Sequence, residues 1–244
     1  MRSETVDIST RDGVADAYLV RPRGDVRRPG VLLLVDAFGL RGQIEAMADR
    51  IAARGYTVLA PNVFYRAGRA PVVPLDGIGD PERRGDVIGR VMPLVRELTT
   101  DRIVSDGDGY LSELERLTGG PSALTGYCMG GRLAWRIAAA YPERVVALGC
   151  FHTSGLVTDE PDSPHLSAEA IAAEVYMGVA DNDRGMTPEQ VATVERALAD
   201  AGVAHRAEIY AGAAHGYTMA DTPVYDEAAT DRHYRALFAL LERS

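Results

Sequence analysis

The residues Gly30-Val31-Leu32-Leu33-Leu34-Val35 form an unbroken apolar run. A strand with one wet face alternates apolar and polar residues, so this run belongs to a strand covered on both faces. Further strands read at Tyr56–Ala60, Ala123–Tyr127, Arg144–Gly149, Glu174–Val179 and His205–Tyr210. Val14–Val20 alternates in part and reads as a half-buried strand near an edge. Between these lie helical patterns at Gln43–Arg54, Pro81–Leu98, Arg102–Leu117, Gly130–Ala140, Pro188–Ala201 and Tyr225–Leu241. Gly55 ends the first helix, and Pro61 closes the strand after it. Residues 66–80 are rich in Gly and Pro and read as a long loop, and an irregular stretch runs to about Ser167. Buried strands alternating with amphipathic helices predict an α/β fold with a mainly parallel central sheet and helices on both faces. No linker divides the chain, so one domain with no separate cap domain is expected over residues 1–244.

A chain of 244 residues can bury roughly 70–75 % of its unfolded surface, enough to fold without staples. The formal charge of −9 argues against sequence-independent nucleic-acid binding, which needs a basic patch, while leaving room for a local basic pocket. Cys128 and Cys150 have neither a disulfide framework around them nor zinc-ligand spacing. The first residues, Met1-Arg2-Ser3-Glu4-Thr5-Val6-Asp7, lack the apolar segment of a secretory signal. No apolar run approaches the roughly 20 residues that cross a bilayer. The expectation is a cytoplasmic protein, monomeric or a small homo-oligomer, with no nucleic-acid or membrane partner.

Ligands in open α/β sheets gather beyond the carboxyl ends of the strands. There the chain carries Gly126-Tyr127-Cys128-Met129-Gly130-Gly131, between an apolar strand and a helix. This is a G-x-C-x-G form of the nucleophile elbow, a tight turn that lifts its central side chain into a cleft. The helix start brings positive dipole character to Cys128, a setting in which cysteine reacts as thiolate. The Met129 N–H is placed to face an oxyanion. Cys150 ends a strand with no such turn and reads as structural.

A cysteine nucleophile needs a base, and the base an orienting group. Of five histidines, His205 lies within a strand pattern, His233 reads as a surface or packing residue and His165 sits in a loop. His152 follows a strand and reads as packing or cleft lining. His215 lies in a small-residue loop, Gly212-Ala213-Ala214-His215-Gly216-Tyr217, after the final strand, and is the expected base. The acid belongs after the preceding strand, where Asp181 and Asp183 both lie within reach. Thr187, Pro188 and Gln190 form a capping-box start to the next helix. Composition does not separate the two carboxylates.

The elbow, with acid and histidine loops in this order, resembles the dienelactone hydrolase family of α/β-hydrolases, from about Thr5 to Leu241. Asp36-Ala37-Phe38-Gly39-Leu40, Ala60-Pro61-Asn62-Val63-Phe64-Tyr65, and His215-Gly216-Tyr217 with Tyr225-Asp226-Glu227-Ala228-Ala229 fit the same pattern. The resemblance selects the acid. The family's carboxylate precedes an apolar residue by three positions and a helical valine by eight; Asp183 meets both through Met186 and Val191, and Asp181 meets neither. It also implies a nucleophile-activating carboxylate at Asp36, where the family usually has the longer Glu, and a second oxyanion donor in the Ala37 N–H. Enzymes of the family that act on dienelactone carry an arginine four residues after the histidine. This chain has Met219 there, and a thioether cannot make the charge-assisted bidentate contact of a guanidinium. Arg41, Arg66 and Arg83 are alternative anchors, each read as a surface residue. Phe38, Phe64, Tyr65, Tyr127 and Tyr217 are read equally as pocket or core.

These readings lead to a cofactor-free, metal-free hydrolase that cleaves a small ester or lactone through a thioester on Cys128, with specificity for dienelactone itself not expected. Its alternatives are an amidase or thioesterase, a ligand-binding protein on a hydrolase scaffold, and a redox-sensing thiol.

Overall fold

The computed structural model describes residues 1–24 and 28–244. Two compact units divide the chain, Met1–Gly120 and Pro121–Ser244.

The first unit holds strands β1 (Arg2–Thr10), β2 (Gly13–Arg21), β3 (Gly30–Leu34) and β4 (Val58–Pro61), with helices α1 (Gly42–Ala52), α2 (Arg84–Glu97) and α3 (Thr100–Thr118). The strand order is β1-β2-β4-β3. β1 and β2 pair antiparallel, as do β2 and β4, whereas β3 runs parallel to β4. Every residue of β3 is buried, as its unbroken apolar sequence requires. β1 was not evident in the sequence. Of its nine residues only Ile8 is buried, so it has almost no apolar alternation to read; its pairing with β2 defines it.

The second unit holds β5 (Ser122–Tyr127), β6 (Val145–Phe151), β7 (Glu174–Ala180) and β8 (His205–Tyr210), all parallel and in sequence order. Between them run α4 (Met129–Ala140) and α5 (Pro188–Asp200), and α6 (Glu227–Leu241) follows β8. β5 is buried along its whole length. Trp135, fully buried on α4, donates its indole N–H to the Pro164 carbonyl at 2.8 Å and so ties the long β6–β7 connection to that helix. The carboxyl ends of β5, β7 and β8 lead directly to Cys128, to the Asp181–Asp183 loop and to the His215 loop.

Candidate active site

The chain leaves β5 at Tyr127 and enters α4 at Met129, with Cys128 alone making the turn at φ 54° and ψ −119°. A positive φ on a residue with a Cβ stores roughly 1–3 kcal/mol and persists only when its surroundings hold it there. Here they do. The Cys128 N–H donates to the Phe151 carbonyl at 3.0 Å, and the Cys128 carbonyl accepts from the Gly131 N–H at 3.3 Å. Gly126 is obligatory for a packing reason: a Cβ on it would lie 2.2 Å from the Gly130 carbonyl oxygen. A Cβ on Gly131 would lie 1.8 Å from Thr153 Oγ1. The first turn of α4 contains no acidic residue and its N-cap makes no side-chain hydrogen bond, so no acidic side chain of that turn offsets the positive end of the helix dipole at Cys128.

His215 is reached through Gly212 and Gly216, both at positive φ. Its Nδ1 lies 2.6 Å from Asp183 Oδ2. The other Asp183 oxygen accepts the Gly185 N–H at 2.8 Å, so both oxygens of this buried carboxylate are engaged and its orientation is fixed. Asp181 is used differently. It accepts the Gly212 N–H at 2.9 Å and donates its own backbone N–H to the Ala213 carbonyl at 2.8 Å. Asp181 therefore clamps the histidine loop, while Asp183 meets the ring. Burial acts to lower the pKa of His215, but Asp183, the neighbouring Cys128 and their negative charges outweigh it and raise it to about 10. An imidazole whose pKa is raised in this way keeps its proton at neutral pH.

The structure brings Cys128, Met129, Asp183 and His215 into this one unit. Asp36 and Ala37 lie in the other, in the turn after β3. Asp36 is buried and accepts two hydrogen bonds from Arg41, at 2.7 and 3.0 Å, plus the Phe38 N–H at 3.0 Å. Arg41 is thus not the surface residue expected from sequence: it is buried in a bidentate ion pair. Arg66 departs in the same way, with its largely buried guanidinium paired to Asp106 and Asp12. The apolar neighbours of an arginine in sequence do not reveal a carboxylate that folding brings beside it. Arg83 is exposed, as expected.

Tyr127 and Tyr217 are core residues. Both are fully buried, Tyr127 with its hydroxyl 2.9 Å from His233 Nε2 and Tyr217 donating to the Gly178 carbonyl at 3.1 Å. His233 is buried with them and is a packing residue. Met219 is buried too. Cys150 is buried, and burial pushes its thiol up to about 12, which leaves it inert.

His152 gains more from folding than its sequence position suggests. It is fully buried at φ 38°, its Nε2 lies 2.7 Å from Thr218 Oγ1, and its ring meets that of His215 edge-on with centroids 5.4 Å apart. Burial pushes its pKa well down, so it supports His215 as a neutral ring. Ser154 Oγ, 3.4 Å from His215 Nδ1, is a second neighbour that sequence gave no reason to single out. Among the described residues no group of three His, Cys, Asp or Glu side chains could hold a metal ion. No described helix is long and apolar enough to cross a membrane.

Comparison with known proteins places the chain in a family. A protein of Salmonella typhi assigned as a carboxymethylenebutenolidase is 28 % identical over 220 residues, covering 87 % of this chain and 77 % of its own length. The structure of a protein from Klebsiella pneumoniae assigned as a dienelactone hydrolase superposes with a TM-score of 0.84 at 22 % identity, over 100 % of this chain and 99 % of that one. The dienelactone hydrolase-like promiscuous phosphotriesterase P91 from metagenomic libraries superposes with a TM-score of 0.77 at 20 % identity, over 99 % and 98 % of the two chains. These two structures share the α/β-hydrolase fold with this chain. The family model described as "Dienelactone hydrolase family" matches residues 15–244, which include the elbow, the acid loop and the histidine loop. The chain belongs to the dienelactone hydrolase family and is a hydrolase of that family.

Proposed function

We propose that the protein cleaves a small ester or lactone with Cys128 as nucleophile, His215 as acid and base, and Asp183 as the group that orients His215. The observation that carries this reading is the 2.6 Å Asp183–His215 hydrogen bond in an imidazole that also interacts with Cys128. The Cys128 sulfur adds to the substrate carbonyl, and the oxygen becomes an oxyanion facing the Met129 N–H at the start of α4. Collapse of this intermediate breaks the C–O bond. His215 gives its proton to the leaving oxygen, and the acyl group remains on Cys128 as a thioester. Neutral His215 then takes a proton from water, whose oxygen attacks the thioester. A second collapse releases the carboxylic acid and returns the thiolate beside a protonated His215. The activating role of Asp36 and the second oxyanion donor at the Ala37 N–H belong to the same proposal. So does the reading of both units as one catalytic domain, which the span of the family match supports.

Thiolate leaves a tetrahedral centre more readily than an amine does, so esters, lactones and thioesters suit this site better than amides. The test is a panel of activated esters, lactones and amides, assayed with wild type, Cys128→Ala and Cys128→Ser. Ester or lactone turnover is expected to fall by about 10³-fold or more in Cys128→Ala. An acyl adduct on Cys128 should be trapped at low pH and seen by mass spectrometry. Turnover unchanged in Cys128→Ala overturns the mechanism, and turnover confined to amides overturns the substrate class.

A further inference from the structure

His152 is the first residue beyond β6 and adopts φ 38°, a left-handed conformation that strains a residue with a Cβ. Its N–H donates to the Gly178 carbonyl of β7 at 2.8 Å, which holds it there. The side chain is fully buried. Nε2 lies 2.7 Å from Thr218 Oγ1, and Nδ1 is buried with no hydrogen-bond partner among the other described residues. The strained backbone and the unpartnered nitrogen both act against folding, and an apolar ring would bear no such desolvation. Packing alone does not account for an imidazole here.

The ring touches the proposed base. It stands edge-on to His215, with centroids 5.4 Å apart and planes at 73°, and edge-on to Tyr217 at 4.9 Å and 79°. Thr218, which is also buried, lies three residues beyond His215 in the same loop. Other bonds hold the backbone of this loop. Asp181 accepts the Gly212 N–H and donates its own N–H to the Ala213 carbonyl. The Tyr217 carbonyl accepts from the Asp226 N–H at 3.0 Å and from the Thr230 hydroxyl at 2.9 Å. The loop therefore keeps its path without the His152–Thr218 bond. What that bond fixes is the rotation of the His152 ring.

Geometry also sets the charge of this ring. A protonated imidazole carries N–H groups on both nitrogens, and the second would face no acceptor from another described residue. Burial, and then the fields of His215 and His233, push the pKa of His152 well down, against a weaker pull from its own backbone. A neutral ring can pack beside the imidazolium of His215 without repelling it.

In the proposed reaction His215 gives its proton to the leaving oxygen and must then, as a neutral ring, take one from water. Without its charge, its hydrogen bond to Asp183 is weaker, and the ring is most free to swing at the moment when water is activated. We infer that His152 is a positioning residue for His215: Thr218 holds its ring edge-on to the base, and that packing keeps the neutral His215 seated on Asp183 while the thioester is hydrolysed. This rests on the proposed reading of Cys128 and His215 and assigns His152 to its second step.

The experiment measures hydrolysis of 4-nitrophenyl butyrate by wild type, His152→Asn, Thr218→Val and Thr218→Ser. Asparagine tolerates a left-handed backbone and lacks the ring. In His152→Asn kcat should fall by about 10- to 100-fold. KM should fall with it, leaving kcat/KM within about 5-fold of wild type, and a burst of 4-nitrophenol should precede the slow steady state. Thr218→Val, which releases the ring without removing it, should show the same pattern more weakly. Thr218→Ser keeps the hydroxyl and should show neither the fall nor the burst. By NMR, the His215 Nδ1–H of His152→Asn should exchange with water at least about 10-fold faster than in wild type, with the backbone amides of β5 and β6 unaltered.

Unchanged kinetics in a folded His152→Asn overturns the inference. A fall in kcat at constant KM without a burst does so too, since it reports a smaller fraction of folded enzyme. Thr218→Val carries both readouts if His152→Asn fails to fold. If Cys128→Ala turns over the ester as wild type does, or neither acts on it, the reading of Cys128 fails by itself. Proton exchange then decides on His152 alone: faster exchange at His215 sustains the positioning role, and equal exchange overturns it.

Discussion

Asp181 and Asp183 are two positions apart in one loop, yet their tasks differ. Asp183 spends both oxygens fixing the ring of His215 and the turn at Gly185, whereas Asp181 holds the backbone of the histidine loop. An asparagine at 183 keeps the shape but offers an amide where the ring nitrogen needs a carboxylate, so the imidazole loses its preferred orientation and charge. Asp183→Asn is expected to lower kcat/KM on the best ester by about 10³- to 10⁴-fold. Asp181→Asn leaves one acceptor oxygen for Gly212 and should lower it by less than about 10-fold. Steady-state kinetics on the two variants checks this, and the reverse order would assign the acid to Asp181. The sequence placed both carboxylates in one loop after the strand that precedes α5. Only spacing matched to relatives separated them before the hydrogen bond did.

At the scale of elements, the site depends on β5 handing the chain to α4 within one residue. The strained Cys128 conformation is stable because Gly126 lets the backbone of Gly130 and Gly131 close over it. Gly126→Ala would drive a methyl group into that backbone, which cannot move without unseating the helix start. Chemical denaturation should show a loss of about 1–3 kcal/mol or more, accompanied by loss of esterase activity. Full stability and activity in this variant would show that the turn relaxes freely. α5 illustrates the opposite case, a feature written in local sequence. Thr187 accepts the Gln190 N–H and Gln190 Oε1 accepts the Thr187 N–H, so the helix begins where its capping box predicts. β1 was illegible for the complementary reason, since its strand character comes from pairing with β2 and not from burial.

The molecule as a whole carries the electrostatic consequences of the site in its stability. The pKa of His215 rises from an ordinary 6.5 to about 10 on folding, so the folded state holds this proton more tightly. The resulting stabilisation is complete below about pH 6.5 and declines as pH rises, vanishing above about pH 10. Urea denaturation of wild type and His215→Gln between pH 6 and 10.5 should therefore show a stability difference that shrinks with rising pH. A difference that stays flat across this window would contradict the protonated, doubly contacted imidazole. The formal charge of −9 is a separate, diffuse property, read from composition, and it sets the solubility of the chain and not its chemistry.

The sequence by itself determined the alternation of buried strands and amphipathic helices, the elbow at Cys128 and the loop that carries His215. These follow from local rules: apolar runs need cover, glycine permits close approach, and helix starts need caps. Tertiary structure alone decided which side chains meet. It paired Arg41 with Asp36 and Arg66 with Asp106, placed the neutral ring of His152 against His215, and gave Asp183 the ring and Asp181 the loop. Charge pairing is a contact between residues distant in sequence, and no local pattern encodes it; burial then multiplies its effect by removing the water that would have screened it.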